Sequence, residues 1–279
     1  MTGKTVLITG ATGGIGLASA TALARAGADL VLVGRSEARG GEALEKIHRA
    51  SGNERLDFLC ADFSSLAEVR RVATTFLSWN RPLHVLLNNA GVMNTRRKLS
   101  RDGFEEMFAV NYLAHFLLTR SLLPCLERSA PARIVHVASN AYAFCKGINF
   151  DDLSHRERFS AFSVYGHSKL ANMLFSNELS RRLRGTGVSS NAMHPGAVAT
   201  GIGTNNGIAG RVLPLLLKPF FRSPEQGGAT AVYLASSAAV EGVSGKYFYD
   251  MAPLEPKPWA LDAAAAGKLW ALSERLTGS

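Results

Sequence analysis

Short apolar runs rich in Val, Ile and Leu alternate along the chain with longer stretches whose apolar residues recur every three or four positions. The runs are TVLITG (5–10), DLVLVG (29–34), LDFLCA (56–61), LHVLLNN (83–89), ARIVHVAS (132–139), GVSSNAMH (187–194) and GKYFYD (245–250). Helical spacing fills 14–27, 36–50, 65–79, 102–127, 162–184 and 224–239, with a C-terminal helix near 262–276. Strands that read as nearly unbroken apolar runs are buried on both faces, as in a parallel sheet covered by helices. The pattern predicts an α/β fold: a doubly wound parallel sheet of the Rossmann type, of about seven strands, with helices on both faces. No linker, repeat or low-complexity tract interrupts it, so residues 1–279 read as a single domain. Ligands of such sheets bind beyond the carboxyl ends of the strands. Chemistry is therefore expected there.

The first strand runs into TGATGGIG, where Gly10, Gly14 and Gly16 open a helix. Glycines allow a tight turn and close approach of a pyrophosphate, whose charge then rests on the helix N-terminus. The second strand ends in LVGRSEA. Gly34 stands where an NAD-binding site would place an acid for the ribose hydroxyl, and Arg35 follows. A guanidinium in place of a carboxylate suits a 2′-phosphate, so NADP(H) is expected over NAD(H). After the third strand, Asp62 reads equally as an adenine contact or as part of a helix cap with Ser64 and Ser65. NNAG (88–91) follows the fourth and offers two amides and a small turn to a cofactor groove.

Asn111 lies on an otherwise apolar helical stripe with Met107, Ala114 and Leu118, and a buried amide needs partners. Ser139 follows the fifth strand, and Tyr165 with Lys169 comes 26 residues later in SVYGHSKL. Residues four apart on a helix are neighbours. A nearby ammonium favours the phenolate and lowers its pKa, so the pair reads equally as a tuned acid/base or as a tyrosine on a core edge beside a solvated lysine. HPGAVAT (194–200) supplies a rigid turn at Pro195–Gly196 and a hydroxyl at Thr200, with His194 read as a turn residue.

Composition changes this picture little. A net charge of +9 and a pI of about 9.7 suit a phosphorylated ligand, nucleic acid or acidic lipid. No basic stretch is interleaved with aromatics, so the surplus reads as solvated arginine and no nucleic-acid partner is expected. Cys60, Cys125 and Cys145 form neither a disulfide framework nor a zinc pattern, which fits a reducing cytoplasm and no metal. The first strand begins so early that no signal peptide or membrane anchor is expected.

Taken together in this order, TGATGGIG, Arg35, Asp62, NNAG, Asn111, Ser139, Tyr165–Lys169 and HPG…T resemble the short-chain dehydrogenase/reductase family over essentially the whole chain. RIVHVASNAY, YGHSKLANMLFSNELSRRL, EGVSGKYF and LWALSERLTG are similar to its retinol-dehydrogenase-like group, which also resembles WW-domain oxidoreductases.

The resemblance implies an NADP(H)-dependent oxidoreductase interconverting a carbonyl and an alcohol. In it Tyr165 is the acid/base, Lys169 tunes it and binds the nicotinamide ribose, Ser139 orients the substrate oxygen, and Asn111 supports a water-linked proton path from Lys169. It also implies a cofactor groove of Gly10, Thr12, Gly14, Ile15, Gly16, Arg35, Asp62, Phe63, Asn89, Ala90, Gly91, Tyr165, Lys169, Pro195, Gly196, Val198 and Thr200, and assembly as a homodimer or homotetramer. The insertion KGINFDDLSHRERFSAFS (146–163) and an apolar lid near 200–222, including RVLPLLLKPFF, are expected to wall a lipophilic or aromatic substrate. The alternative on the same fold is a non-catalytic NADP(H)-binding regulator or scaffold.

Overall fold

A computed structural model describes residues 1–198 and 222–279. Its sheet runs in the order β3-β2-β1-β4-β5-β6-β7-β8. The strands are β1 (Thr5–Thr9), β2 (Asp29–Gly34), β3 (Leu56–Cys60), β4 (Val85–Asn88), β5 (Ala132–Val137), β6 (Val188–Met193), β7 (Tyr247–Tyr249) and β8 (Ala252–Pro253). The first seven pair in parallel. The two-residue β8, absent from the predicted set, folds back antiparallel on β7. With Pro253 in it, that strand suits only a sheet edge.

Side chains of β1 alternate across the sheet. Val6 and Ile8 join one core with helices α1 (Gly14–Arg25), α2 (Glu37–Ser51) and α7 (Pro224–Ser236). Leu7 joins the other, with α3 (Leu66–Ser78), α5 (Ala114–Arg128), α6 (Ala161–Arg182) and α8 (Ala263–Thr277). Both faces are thus covered, which is why the strands carry so few polar residues.

The predicted helix over 102–127 is interrupted. A short α4 (Glu106–Phe108) passes into a π turn (Ala109–Leu113) before α5 begins. The Ala114 N–H reaches back five residues to the Ala109 carbonyl, widening the helix where Asn111 sits.

Helix ends follow local chemistry. Ser36 and Ser65 cap α2 and α3, Ser223 and Gln226 form a capping box on α7, and Asp262 caps α8. The parallel register brings the carboxyl ends of β1, β2, β4, β5 and β6 to one edge of the sheet. Of the expected lid near 200–222 only Arg222 lies among the described residues, and Thr200 lies outside them.

Candidate active site

At the end of β1 the backbone of Gly10 takes φ +68°. A side chain there would come within 2.8 Å of the Ala90 backbone, and one at Gly16 would collide with the Gly10 carbonyl. The helix start is therefore open backbone facing the sheet edge, a cradle that suits a pyrophosphate. Asn89, expected to line the groove, holds this turn: its Nδ2 donates to the carbonyls of Thr9 (2.8 Å) and Gly10 (3.2 Å). The backbone N–H groups of Asn89 and Ala90 both donate to Thr9 Oγ1 at 2.9 Å. Ile15 is buried and faces α7, where it and Val198 approach the bare Cα of Gly227.

A Cβ at Gly34 would lie 2.6 Å from the Thr12 methyl and 3.3 Å from Phe58. An acid at that position has no room. Arg35 is exposed at the strand end. Arg39, one helical turn further on, lays its guanidinium against the glycine turn and donates to the Thr12 carbonyl at 3.5 Å. Sequence reasoning missed Arg39, because on α2 it reads as one more solvated cation; its i+4 spacing from Arg35 was the available signal.

Two further groove candidates have partners within the fold. The Asp62 carboxylate accepts from the Ser64 N–H (3.0 Å) and pairs with Arg101 (3.5 Å), while its own N–H donates to Glu68. These contacts include the Ser64 N–H expected of a capping role. Phe63 buries its ring in the core, edge-on to His115 with centroids 5.8 Å apart, so its side chain belongs to packing rather than to the groove.

On the other side of the cradle stand Ser139, Tyr165 and Lys169. Ser139 ends β5 and starts a short 3-10 turn (Asn140–Phe144), its hydroxyl accepting from the Ala141 N–H. A hydrogen bond from Ser139 lowers the Tyr165 hydroxyl, but burial outweighs it and pushes the phenol up to about 12. The tuned reading of the pair points to a depressed phenol; in the free protein desolvation outweighs the Ser139 hydrogen bond and acts in the other direction. Lys169 is buried, with Nζ 5.6 Å from the centroid of the Tyr165 ring and donating to the Val137 carbonyl at 2.8 Å. Burial brings its ammonium down to about 8.

Gly91 lies between the two halves of the site, since a Cβ there would meet Asn111 Oδ1 at 3.5 Å and Lys169 Nζ at 3.6 Å. Asn111 itself is a fastener. Its Oδ1 accepts from the Val92 N–H (2.7 Å), and its Nδ2 donates to the Val92 carbonyl and to Ser168 Oγ, both at 3.0 Å. Its backbone carbonyl accepts from His115 Nδ1 and from Asn172 Nδ2, again at 3.0 Å each. Asn111 thereby ties the Val92 segment, α5 and α6 together beside Lys169. Neither His115 nor Asn172 was singled out from sequence. Each is a polar residue one helical step from a candidate, at Asn111+4 and Lys169+3.

After β6, Gly196 turns with φ +76°. His194 stacks on Tyr249 at 4.2 Å and accepts the Gly196 N–H, and burial lowers its imidazole to about 4. It is a neutral turn residue, as expected. Arg222 forms a bidentate pair with Asp250 and closes the same turn. Pro195, Gly196 and Val198 therefore line up beyond the strand end on the side of the cradle.

This geometry defines a dinucleotide-type cradle facing a hydroxyl, a phenol and an ammonium. The family model for short chain dehydrogenases matches residues 4–208, and the chain belongs to that family, in its retinol-dehydrogenase-like group. It is 44% identical to retinol dehydrogenase 14 of Homo sapiens over 299 residues, covering all of this chain and 87% of that protein. Among solved structures it is similar to an uncharacterised protein from Mycobacterium Paratuberculosis, at 32% identity and a TM-score of 0.79, covering 100% of this chain and 94% of that one. It is also similar to the Pseudomonas aeruginosa RhlG/NADP active-site complex, at 26% identity and a TM-score of 0.70, covering 89% and 94%.

Proposed function

We propose that the protein is an NADP(H)-dependent oxidoreductase interconverting a carbonyl and an alcohol, with Tyr165 as acid/base and a lipophilic or aromatic substrate. The observation that carries this reading is the convergence of Ser139, Tyr165 and buried Lys169 opposite the glycine cradle. A dinucleotide held by the glycine turn would supply or accept the hydride and, when oxidised, would bring a positive charge to the site.

The protein's own work is positioning and proton handling. In reduction the Ser139 hydroxyl orients the substrate oxygen. The Tyr165 O–H bond breaks as the new O–H bond forms, so the developing alkoxide is neutralised as it appears. A phenol held protonated in the free protein is ready for that direction. For oxidation it must first lose its proton, which Lys169 and a cationic ring both favour.

NADP(H) rather than NAD(H) is supported by the missing acid at Gly34, by the Arg35 and Arg39 guanidinium groups, and by the NADP in the RhlG complex. A lipophilic substrate is supported by Phe144 and Phe162, which follow Ser139 and precede Tyr165. Their exposed rings pair with centroids 5.2 Å apart, an apolar surface beside the catalytic groups.

A screen of aromatic, long-chain and terpenoid carbonyls and alcohols with NADPH, NADP⁺, NADH and NAD⁺ tests the reading. Turnover of apolar substrates with NADPH or NADP⁺ is expected. Tight NADPH binding with no turnover of any compound would instead favour the regulator.

A further inference from the structure

The turn after β6 is enclosed by side chains that the acid/base reading leaves unused. His194 is buried with its ring stacked on two phenols, on Tyr249 at 4.2 Å and 6° and on Tyr247 at 5.5 Å and 28°. Its Nδ1 accepts the Gly196 N–H at 3.3 Å. A ring nitrogen that accepts carries no proton, so the imidazole is the neutral tautomer protonated on Nε2. A side chain that takes the N–H two residues on reproduces an Asx turn, here built with an imidazole. The Arg222 stem lies against the bare Cα of Gly196, where a Cβ would come within 3.0 Å of Arg222 Cδ. The Arg222 N–H donates to the Ala197 carbonyl at 2.8 Å, and its guanidinium covers the Tyr249 ring at 5.0 Å while pairing with Asp250.

The stack continues toward Ser139. Tyr247 meets Tyr142 edge-on at 5.5 Å and 88°. Tyr142 lies in the 3-10 turn that Ser139 opens, and its N–H donates to the Ser139 carbonyl at 3.1 Å. In the other direction, Val198 shares the bare Cα of Gly227 with Ile15 of the glycine-cradle helix. The turn is therefore tied by packing both to the cradle and to the Ser139 turn.

We propose that His194 is a positioning residue for hydride transfer: its imidazole sets the Pro195–Gly196 turn of the coenzyme groove by accepting the Gly196 N–H, and its stacked ring ties that turn to Ser139. The role rests on the reading of the groove as a coenzyme site with Tyr165 as its acid/base. The charged and titratable groups facing the imidazole are Asp250, Arg222, Tyr247 and Tyr249. Asp250 and Arg222 pair with each other, so their effects on the ring oppose, and burial keeps the acceptor nitrogen bare at neutral pH.

Two variants separate the hydrogen bond from the stack. His194→Asn keeps an acceptor two residues before Gly196 and removes the ring, whereas His194→Phe keeps a ring and removes the acceptor. In the ligand-free protein, exchange of the Gly196 amide followed by ¹⁵N NMR is expected to be at least about tenfold faster in His194→Phe than in wild type or His194→Asn. Single-turnover reduction of 4-nitrobenzaldehyde by pre-bound NADPH is expected to be about tenfold slower in His194→Phe, with the NADPH Kd within about threefold. The same rate in His194→Asn should stay within about threefold of wild type. Thermal midpoints are expected to rank the other way, phenylalanine above asparagine, whereas a residue that only packs would give one order for both rate and stability. Equal Gly196 exchange in all three proteins would overturn the proposal, as would a His194→Phe rate within about threefold of wild type. Wild-type ¹⁵N shifts placing the His194 proton on Nδ1 would do the same. If His194→Phe fails to fold, the tautomer and the Gly196 exchange of His194→Asn still decide it, and both are read without turnover. Tyr165→Phe separates the two levels: if it turns over normally the acid/base reading falls, whereas an inactive Tyr165→Phe beside an undiminished His194→Phe removes His194 alone.

Discussion

At the scale of single residues, burial sets the charge state of the site. Tyr165 is held protonated and Lys169 is weakened as an ammonium by the same desolvation, and the phenol cannot gain the full benefit of its neighbour until a bound cation adds to it. In the proposed NADP(H) reading, the 2′-phosphate meets two guanidinium groups, Arg35 and Arg39. Arg35→Ala and Arg39→Ala are each expected to weaken NADPH binding about tenfold while changing NADH affinity far less. Titration of both coenzymes against each variant checks this; equal losses for the two would mean that neither arginine reads the 2′-phosphate. Gly34→Asp is expected to destabilise the turn rather than to create an NAD site, because the new Cβ meets the Thr12 methyl at 2.6 Å.

At the scale of elements, α6 carries Tyr165 and Lys169 and is braced by α8. Trp270 of α8 is buried against Phe116 and Phe175, with centroids 5.2 and 5.8 Å away, and Arg182 lies over its indole at 4.1 Å. Trp270→Ala should cost roughly 3–5 kcal/mol in urea unfolding. A cost below about 1 kcal/mol would show that α8 is a dispensable cover.

The sheet and its helices were legible in sequence because apolar runs of strand length and helical spacing differ in period, and both faces of the sheet are covered. The interruption of the 102–127 helix was not legible: AVNYL has ordinary helical composition, and only tertiary contacts from Val92, Ser168 and Asn172 show why Asn111 sits in a wider turn. The glycine turn and the Ser139, Tyr165 and Lys169 positions were readable because each follows a strand or opens a helix. Arg39, His115 and Asn172 were not picked out, since on a helix they read as solvated or packed polar side chains, and their spacing from Arg35, Asn111 and Lys169 was the one signal available. The hydrogen bonds that Asn89 and Asn111 make to residues far away in the chain were not readable, because spacing alone does not show them.

At the scale of the whole molecule, buried histidines tie stability to pH. Burial lowers His115 and His136 to about 3, against 6.5 for the unfolded imidazole. Between these values the unfolded chain binds two protons that the folded chain does not, so stability present above pH 6.5 is lost as pH falls. These two residues alone contribute a slope of about 2.7 kcal/mol per pH unit well below 6.5. His136→Gln should halve that contribution in denaturation measured from pH 7 to pH 4, and an unchanged slope would contradict the assignment. On the alkaline side Lys169 keeps this sign and Tyr165 reverses it. The penalty for burying the Lys169 charge is present below about pH 8 and relieved as pH rises toward 10.5. Tyr165, protonated to about 12 when folded and to 10 when unfolded, takes stability away above pH 10.

The central claim is that the Tyr165 hydroxyl moves the proton while a hydride moves beside it. Its most direct test is single-turnover reduction of an aromatic aldehyde by pre-bound NADPH, comparing wild type with Tyr165→Phe at matched coenzyme saturation. The account predicts a hydride-transfer rate at least about 100-fold lower in the variant, with the NADPH Kd within about twofold. A variant rate within about threefold of wild type would contradict it.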